Sequence, residues 1–453
     1  MKKRIAAVVF CCFASVHGSR ALAQDWPQWR GPERDARATG FQVPSAWPKE
    51  LSQKWKVEVG DGVATPALVG DRLFVFSRQG GDEVLRCLEA DSGKEVWIDK
   101  YPAESISGPA AGFPGPRSSP AVADGKIVTL GVQGVLSCLD AATGKVVWRN
   151  REYEGAIPRF ATASSPLLVD DLCFAQLGDD RGGAVVALNL ADGKEKWKWA
   201  GDGPAYASPV VVKLDQTTAV IAVSSQKLVA LRADDGKLLW ENEYAQGRYN
   251  ATTPVFDGSV MVVAGPNRGI SAEKLSAKDA AVESEPLWSN TDNSVQFNSP
   301  VIKDGWAYGL SNMNSLFCVN LADGKTAWSA PLDAAAGQGD AGRAGGRGER
   351  PGRGDRAGGA GQDGGGRGRG GPGGRRGRGG GGGGGYGSIV DLGSVLLALT
   401  PASKLVVFLP SSEGFTELAS YKVADGQTYA YPIATGTSLF IKDTDSVTRW
   451  SLE

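Results

Sequence analysis

The chain has 453 residues, with 49 lysines and arginines against 50 aspartates and glutamates, so its formal net charge is −1. A single hydrophobic core rarely grows beyond about 250–300 residues, so this length requires several domains or a repeat architecture. The only histidine is His17, in the N-terminal segment considered next, so the rest of the chain can form no Ser-His-Asp triad, Cys-His pair or histidine zinc site.

The first 23 residues have the pattern of a secretory signal peptide. Residues 2–4 are basic, 5–16 form an apolar run too short to cross a bilayer, and 21–23 are the A-x-A cleavage motif that ends at Ala23. We therefore predict export, with a periplasmic or extracellular mature protein that begins with a leader segment at 24–52. Four of the 49 basic residues leave with the signal, so 45 remain against 50 acidic ones, a net charge of −5.

An eleven-residue phrase occurs five times with Gly, Lys and Trp at fixed offsets. The copies are "CLEADSGKEVW" (87–97), "CLDAATGKVVW" (138–148), "ALNLADGKEKW" (187–197), "ALRADDGKLLW" (230–240) and "CVNLADGKTAW" (318–328). Each copy predicts a hairpin whose Gly supplies the positive φ of the turn and whose second strand carries the Trp. We expect that Trp to pack between neighbouring units.

A second phrase precedes each hairpin: a hydroxyl or small residue, a proline, an apolar run, a turn and another apolar run. Its prolines recur every 43–54 residues, at Pro66, Pro120, Pro166, Pro209, Pro254 and Pro300. Proline is tolerated at the first residue of a strand, and the short Val-, Ile- and Leu-rich runs favour strands. Four short strands per unit at this period are typical of a β-propeller blade.

The units add up to eight blades. Six are regular, and a seventh at 387–424 has Ile389 in place of the proline and Leu418 in place of the Trp. The last unit lacks a fourth strand, which residues 53–59 can supply. We predict an all-β, eight-bladed β-propeller of four-stranded antiparallel blades, closed by the N-terminal strand, with blades in 53–333 and 387–453. The tryptophans expected between blades are Trp55, Trp97, Trp148, Trp197, Trp240, Trp288 and Trp328.

Four cysteines remain after the signal segment: Cys87, Cys138, Cys173 and Cys318. Three of them occupy the same slot of the eleven-residue phrase, where two other copies carry Ala, so this slot suits a small buried side chain. Export would permit a disulfide set. Equivalent slots of separate units should not lie within the roughly 4.4–6.8 Å Cα separation of a disulfide, so we favour free, buried thiols.

Residues 334–386 form a Gly/Arg-rich insert with ten arginines against four acidic residues. It has almost no apolar residues and we expect it to be disordered. One interpretation is a loop insertion between two blades. The other is a tract that binds polyanions, for which anionic envelope polymers are better candidates than nucleic acid because the protein is exported. The loop interpretation is favoured.

The eleven-residue phrase resembles the pyrroloquinoline-quinone-like (PQQ-like) propeller repeat, which quinoprotein dehydrogenases share with the outer-membrane assembly factor BamB. The mature start "DWPQWRGPERDA" at 25–36 is similar to the leader of secreted bacterial members of this superfamily. The resemblance covers 25–333 and 387–453. It implies the fold more specifically than the function, because such folds host many activities.

Two functions follow from this resemblance. The family's PQQ-binding enzymes carry a vicinal Cys-Cys disulfide and a calcium held by Glu, Asn and Asp, whereas the only Cys-Cys pair here is at 11–12, in the signal segment. We favour a non-catalytic, BamB-like scaffold for protein–protein interaction in the cell envelope. We expect it to be a monomer that does not span the membrane, with no cofactor, catalytic or metal-binding residue. The alternative is a PQQ-dependent oxidoreductase, or a propeller that binds small molecules or polymers.

The loops that enter the inner strands carry polar side chains that we expect to cluster around one mouth of the central channel. They satisfy loop backbones and hold channel water in one interpretation. In the other they form a recognition face for an anionic group or a peptide. The residues are Arg117, Arg159, Tyr206, Arg248, Asn250, Gln296 and Asn298.

Overall fold

The structure, a computed structural model, describes residues 24–245, 249–278, 281–332 and 387–453. In this part of the chain, eight four-stranded antiparallel sheets form a ring, which confirms the predicted eight-bladed propeller. The predicted signal peptide, the Gly/Arg-rich insert and Arg248 lie outside the described residues. No helix among those residues is long and apolar enough to cross a membrane.

Each of the first four blades is built from consecutive strands. Blade 1 contains β2 (Ala67–Val69), β3 (Arg72–Gln79), β4 (Asp82–Glu89) and β5 (Glu95–Pro102); blade 2 contains β6 (Ala121–Ala123), β7 (Lys126–Leu130), β8 (Leu136–Asp140) and β9 (Val146–Asn150). Blade 3 contains β10 (Leu167–Val169), β11 (Leu172–Asp179), β12 (Gly182–Asn189) and β13 (Glu195–Trp199); blade 4 contains β14 (Val210–Leu214), β15 (Thr217–Val223), β16 (Lys227–Arg232) and β17 (Leu238–Glu243). A 3-10 turn at Gly108–Ala110 lies between blades 1 and 2.

The second half of the ring follows the same order until the last blade. Blade 5 contains β18 (Val255–Asp257), β19 (Val260–Gly265), β20 (Gly269–Lys278) and β21 (Ala281–Asn290); blade 6 contains β22 (Val301–Lys303), β23 (Trp306–Leu310), β24 (Ser315–Asn320) and β25 (Thr326–Pro331). Blade 7 contains β26 (Ser388–Asp391), β27 (Leu396–Leu399), β28 (Lys404–Phe408) and β29 (Glu417–Lys422); blade 8 contains β30 (Ile433–Thr435), β31 (Ser438–Lys442), β32 (Ser446–Ser451) and β1 (Ser52–Glu58). Strand β1 pairs antiparallel with β32, so the N-terminal strand closes the ring as predicted.

The hydrophobic core is a set of layers between blades. One buried cluster joins side chains of blades 2 and 3, another those of blades 3 and 4, and a third those of blades 4 and 5. The largest cluster joins blades 6, 7, 8 and 1 with the leader. Each blade therefore depends on its neighbours for burial, as in other repeat architectures.

In six of the blades, the repeated Trp joins its blade to the next through a hydrogen bond and a ring contact. Nε1 of Trp148 in blade 2 donates to the carbonyl of Leu190 in blade 3 at 3.0 Å. The same ring lies against Gly193, the phrase glycine of blade 3, where an added Cβ would come within 2.6 Å of it. Equivalent Nε1 bonds to backbone carbonyls join five further pairs: Trp55 to Ala90, Trp97 to Ala141, Trp197 to Ala233, Trp288 to Leu321 and Trp328 to Ser411. Trp240 packs against the cluster between blades 4 and 5.

Blade 7 departs from the sequence-based expectation by one residue. Val407 pairs with Ala419, and the register shifts between Val407 and Phe408. Ala419 therefore stands in the position that Trp148 holds in blade 2, whereas Leu418 is the bulged residue and is 41% exposed. The prediction that Leu418 replaces the Trp was wrong, because an alignment of the repeat sequences does not show which residue of the strand forms the β-bulge.

All four cysteines in the described residues are buried and free of disulfides. Cys87, Cys138 and Cys318 lie on β4, β8 and β24, each directly opposite a phrase Trp. Burial raises the pKa of the Cys138 thiol to about 12, so it stays protonated at neutral pH. These side chains act as small apolar residues between blades.

Candidate functional site

The residue before each strand-starting proline takes part in a ring of hydrogen bonds around the channel. Its hydroxyl oxygen accepts from the backbone N–H of the equivalent residue in the neighbouring blade, at 2.9–3.1 Å. We call these residues the hydroxyl ring: Thr65, Ser119, Ser165, Ser208, Thr253 and Ser299. Tyr431 of blade 8 donates the bond that Thr65 accepts. The recurrent Ser or Thr before Pro in the sequence is therefore a blade-to-blade connector, a role that sequence analysis did not assign.

The leader occupies the end of the channel below this ring. Trp26 is buried and forms an antiparallel bridge with Leu68 of β2. The guanidinium of Arg30 is buried beside blades 6 and 8. It donates to the carbonyls of Ser299 and Pro300 and to the hydroxyl of Tyr431, at 2.8–2.9 Å.

A second buried guanidinium of the leader, that of Arg34, binds the opposite side of the channel. It donates to the carbonyl of Pro209 at 2.8 Å, to the carbonyl of Pro166, and to Oε1 of Gln28 at 3.0 Å. Burial lowers the pKa of Arg34 to about 9, which leaves it cationic at neutral pH. Arg30 and Arg34 thus connect the leader to blades 3, 4, 6 and 8.

Above the hydroxyl ring, the channel widens into a cavity of about 470 Å³, which we call the mouth cavity. This volume lies in the range of ligand pockets, about 300–1,000 Å³. The loops that enter the inner strands form its walls, and members of the hydroxyl ring line its floor together with Trp29. Its aromatic wall residues are Phe113, Phe160, Tyr206, Tyr249, Phe297, Tyr429 and Tyr431.

The aromatic side chains of the mouth cavity contact one another in two groups. Tyr249 is central to the first, with ring centroids 5.5 Å from Phe160, 6.2 Å from Tyr206 and 5.5 Å from Phe297. In the second, Phe113 meets Tyr429 edge-on at 5.3 Å. All of these rings are half-buried, so each is partly exposed. Such mutual contacts fix ring positions before any ligand arrives.

Two residues of the predicted recognition face line the mouth cavity, namely Arg117 and Tyr206. Arg117 donates to the carbonyls of Phe160, Phe113 and Ala110 at 2.8–3.2 Å, so it holds two loops together. The hydroxyl of Tyr206 accepts from the backbone N–H of Phe160 at 3.1 Å.

The other described members of that set surround the cavity without lining it. Asn250 donates to the carbonyl of Ser224 at 2.8 Å, and Asn298 to the carbonyl of Leu310 at 3.0 Å. Gln296 donates to the hydroxyl of Tyr249 at 2.5 Å. Arg159 is exposed, with its guanidinium over the Phe160 ring at 5.6 Å from the centroid. These contacts brace the loops.

Sequence analysis missed most of the aromatic wall. The signal was present, because the loops that enter six of the blades each carry an aromatic residue within seven positions before the proline. These residues are Phe113, Phe160, Tyr206, Tyr249, Phe297 and Tyr429. They are far apart along the chain and converge only because the blades form a ring.

The residues of the mouth cavity do not fit a calcium-bound quinone cofactor. Arg117 is the one charged side chain among the described residues that line it, and that lining contains no carboxylate or amide to bind calcium. Nor do the described residues contain a cluster of three His, Cys, Asp or Glu side chains suited to a metal ion. Cys87, Cys138, Cys173 and Cys318 lie in the blades, outside that lining.

Comparison with known proteins gives one family model and two kinds of relative. The model for outer membrane protein assembly factor BamB matches residues 37–198 and 81–330. BamB of Yersinia pestis is 24% identical over 296 residues, 61% of this chain and 69% of that protein. The quinohemoprotein alcohol dehydrogenase of Comamonas testosteroni is 25% identical over 191 residues, 41% of this chain and 27% of the enzyme. The crystal structure of BamB from Moraxella catarrhalis has a TM-score of 0.58 at 14% identity, over 88% of this chain and 97% of that one, a likeness of fold alone.

Proposed function

Because this chain belongs to the family of PQQ-like propellers represented by the outer membrane protein assembly factor BamB, we propose that it is a non-catalytic, exported scaffold that binds protein partners. The observation that carries the proposal is the chemistry of the mouth cavity. Its walls are aromatic rings, and the polar groups of Arg117 and Tyr206 are engaged with loop backbones. An acid–base pair or a nucleophile with its base requires titratable groups within hydrogen-bond reach, and the described lining offers no such pair.

The export that this function requires rests on the signal-peptide pattern of residues 1–23. A scaffold of the envelope needs no cofactor, and it acts through surfaces that the rigid ring presents. The mouth face, meaning the side of the ring that carries the mouth cavity, presents a group of partly exposed aromatic side chains. Clusters of this kind mark interaction sites more often than single exposed apolar residues do.

The test compares the two functions that the family contains. Immobilised mature protein is incubated with envelope extract from its own cells, with and without a crosslinker, and the captured proteins are identified. The same preparation is supplied with PQQ and calcium and assayed for dye reduction with alcohols and sugars. We expect specific capture and no turnover. Dye reduction that depends on PQQ would refute the scaffold and establish an oxidoreductase.

A further inference from the structure

The tyrosines of the mouth cavity present hydrogen-bond donors. The hydroxyl oxygens of Tyr206, Tyr249 and Tyr431 each accept a bond from the protein, at 3.1, 2.5 and 2.9 Å. A phenol that accepts in this way keeps its own O–H proton to donate. Burial raises the pKa of Tyr206 to about 12, so that proton is retained at neutral pH.

The floor of the cavity also presents hydrogen-bond donors. The hydroxyls of Ser119, Ser165, Ser208 and Thr253 each accept a backbone N–H from the neighbouring blade. One lone pair of each oxygen is thus used, and the O–H remains to donate. A ligand complementary to this surface carries acceptors, such as carbonyl oxygens.

The charges around the cavity disfavour several ligand classes. Arg117 lines it and Arg30 lies directly beneath Tyr431, while the described lining contains no carboxylate. Asp180 binds the backbone N–H of Arg159 at 3.0 Å, outside the lining, so the charge that a cationic ligand would meet in the described lining is that of Arg117. A sugar would bury several O–H donors without strong acceptors, which is costly. For a calcium-bound quinone, the described lining of the cavity offers no carboxylate or amide side chain that could bind the calcium.

A peptide with an aromatic side chain meets these requirements, because its main-chain carbonyls are acceptors and its ring can pack against the aromatic wall. The channel already holds one extended segment, the leader. There the leader pairs its backbone with Leu68 and buries the Trp26 ring.

We propose that the mouth cavity binds an aromatic side chain on an extended segment of a protein partner, with main-chain carbonyls of that segment accepting bonds from the tyrosine and floor hydroxyls. This inference rests on the proposed function and names the chemistry by which the scaffold would recognise its partner. Tyr249 is the central residue of the site, because its ring contacts three other wall rings.

The experiment titrates the mature full-length protein with two blocked tripeptides, Gly-Trp-Gly and Gly-Leu-Gly, followed by ligand-observed NMR. We expect the tryptophan peptide to bind with a Kd on the order of 1 mM and roughly two- to tenfold more tightly than the leucine peptide. Tyr249→Ala should weaken it at least about fivefold, and Tyr429→Leu, in the second ring group, should also weaken it. Tyr249→Phe should have the smaller effect, since it keeps the ring. Met313→Ala is the control, because Met313 is exposed and does not line the cavity.

Several results would overturn the proposal: equal binding of the two peptides, binding unchanged in Tyr249→Ala, or tighter binding of N-acetylglucosamine or of PQQ with calcium than of the tryptophan peptide. Its failure differs from failure of the scaffold function. A partner captured equally by wild type and Tyr249→Ala would retain the scaffold and refute this site. Turnover that depends on PQQ would refute the scaffold itself.

Discussion

Replacing Trp148 by alanine tests how the blades are held together. The side chain is half-buried between blades 2 and 3, lies against Gly193 and donates to the carbonyl of Leu190. Loss of about 100–150 Å² of buried ring area removes roughly 2.5–4 kcal/mol. Loss of the hydrogen bond removes about 1 kcal/mol more. The expected decrease in the free energy of unfolding is therefore about 3.5–5 kcal/mol, in the range of other large-to-small replacements.

Denaturant unfolding, followed by fluorescence and circular dichroism, measures this decrease. Trp148→Phe keeps most of the ring contact and should lose about 1 kcal/mol. Val147→Ala is the matched control, because Val147 is 44% exposed on the same strand and its change should stay within about 0.5 kcal/mol. A loss below about 1 kcal/mol for Trp148→Ala, or one equal to that of Val147→Ala, would refute the blade-docking role.

Three further predictions concern other parts of the ring. Gly193 and Gly70 both have positive φ, but of the two only Gly193 would place an added Cβ against a Trp ring. Gly193→Ala should therefore lower the thermal midpoint more than Gly70→Ala. Equal shifts would contradict the packing of Trp148 on Gly193. Burial raises the pKa of the Glu83 carboxyl, so its stabilising contribution is complete below the ordinary Glu pKa and is lost as pH rises through the folded pKa. Glu83→Gln should therefore gain stability relative to wild type between acidic and neutral pH, and parallel pH profiles would count against it. Replacing 336–385 by a short Gly/Ser loop should leave the thermal midpoint nearly unchanged, since loop closure costs about 0.6 kcal/mol per doubling. It should also lower salt-sensitive retention on heparin, and retention equal to wild type would exclude polyanion binding by the insert.

The sequence was sufficient for the fold because the determinants of a blade are local and repeated. Proline, turn glycine and Trp recur at fixed offsets, and they set the strand count, the turn positions and the contacts from blade to blade. The missing fourth strand of the last unit was equally visible, and β1 fills it. Blade 7 shows the limit of prediction from the repeat. There the pairing of Val407 with Ala419, which the sequence alone does not reveal, decides which residue takes the Trp position.

The site was less predictable because its residues meet only through ring closure. Arg30 is 269 residues from Ser299, whose carbonyl it contacts, and no local pattern indicates that pair. Arg117 and Tyr206 were identified from their loops, but the aromatic wall around them was not. Asn250, Gln296 and Asn298 bond to groups around the cavity, and recognition of a ligand by this face stays a prediction.

A photoreactive amino acid in place of Arg159 tests the central claim most directly, namely that the mouth face binds a protein partner. Arg159 is exposed beside Phe160 at the edge of the mouth cavity, and its side chain can be replaced without altering that lining. The full-length protein is expressed in its own cells, irradiated and purified, and its crosslinked products are identified. We predict one predominant protein adduct from position 159 and none from Val147 on the outer strand of blade 2. Adducts of equal yield from both positions, or none from position 159, would contradict the account.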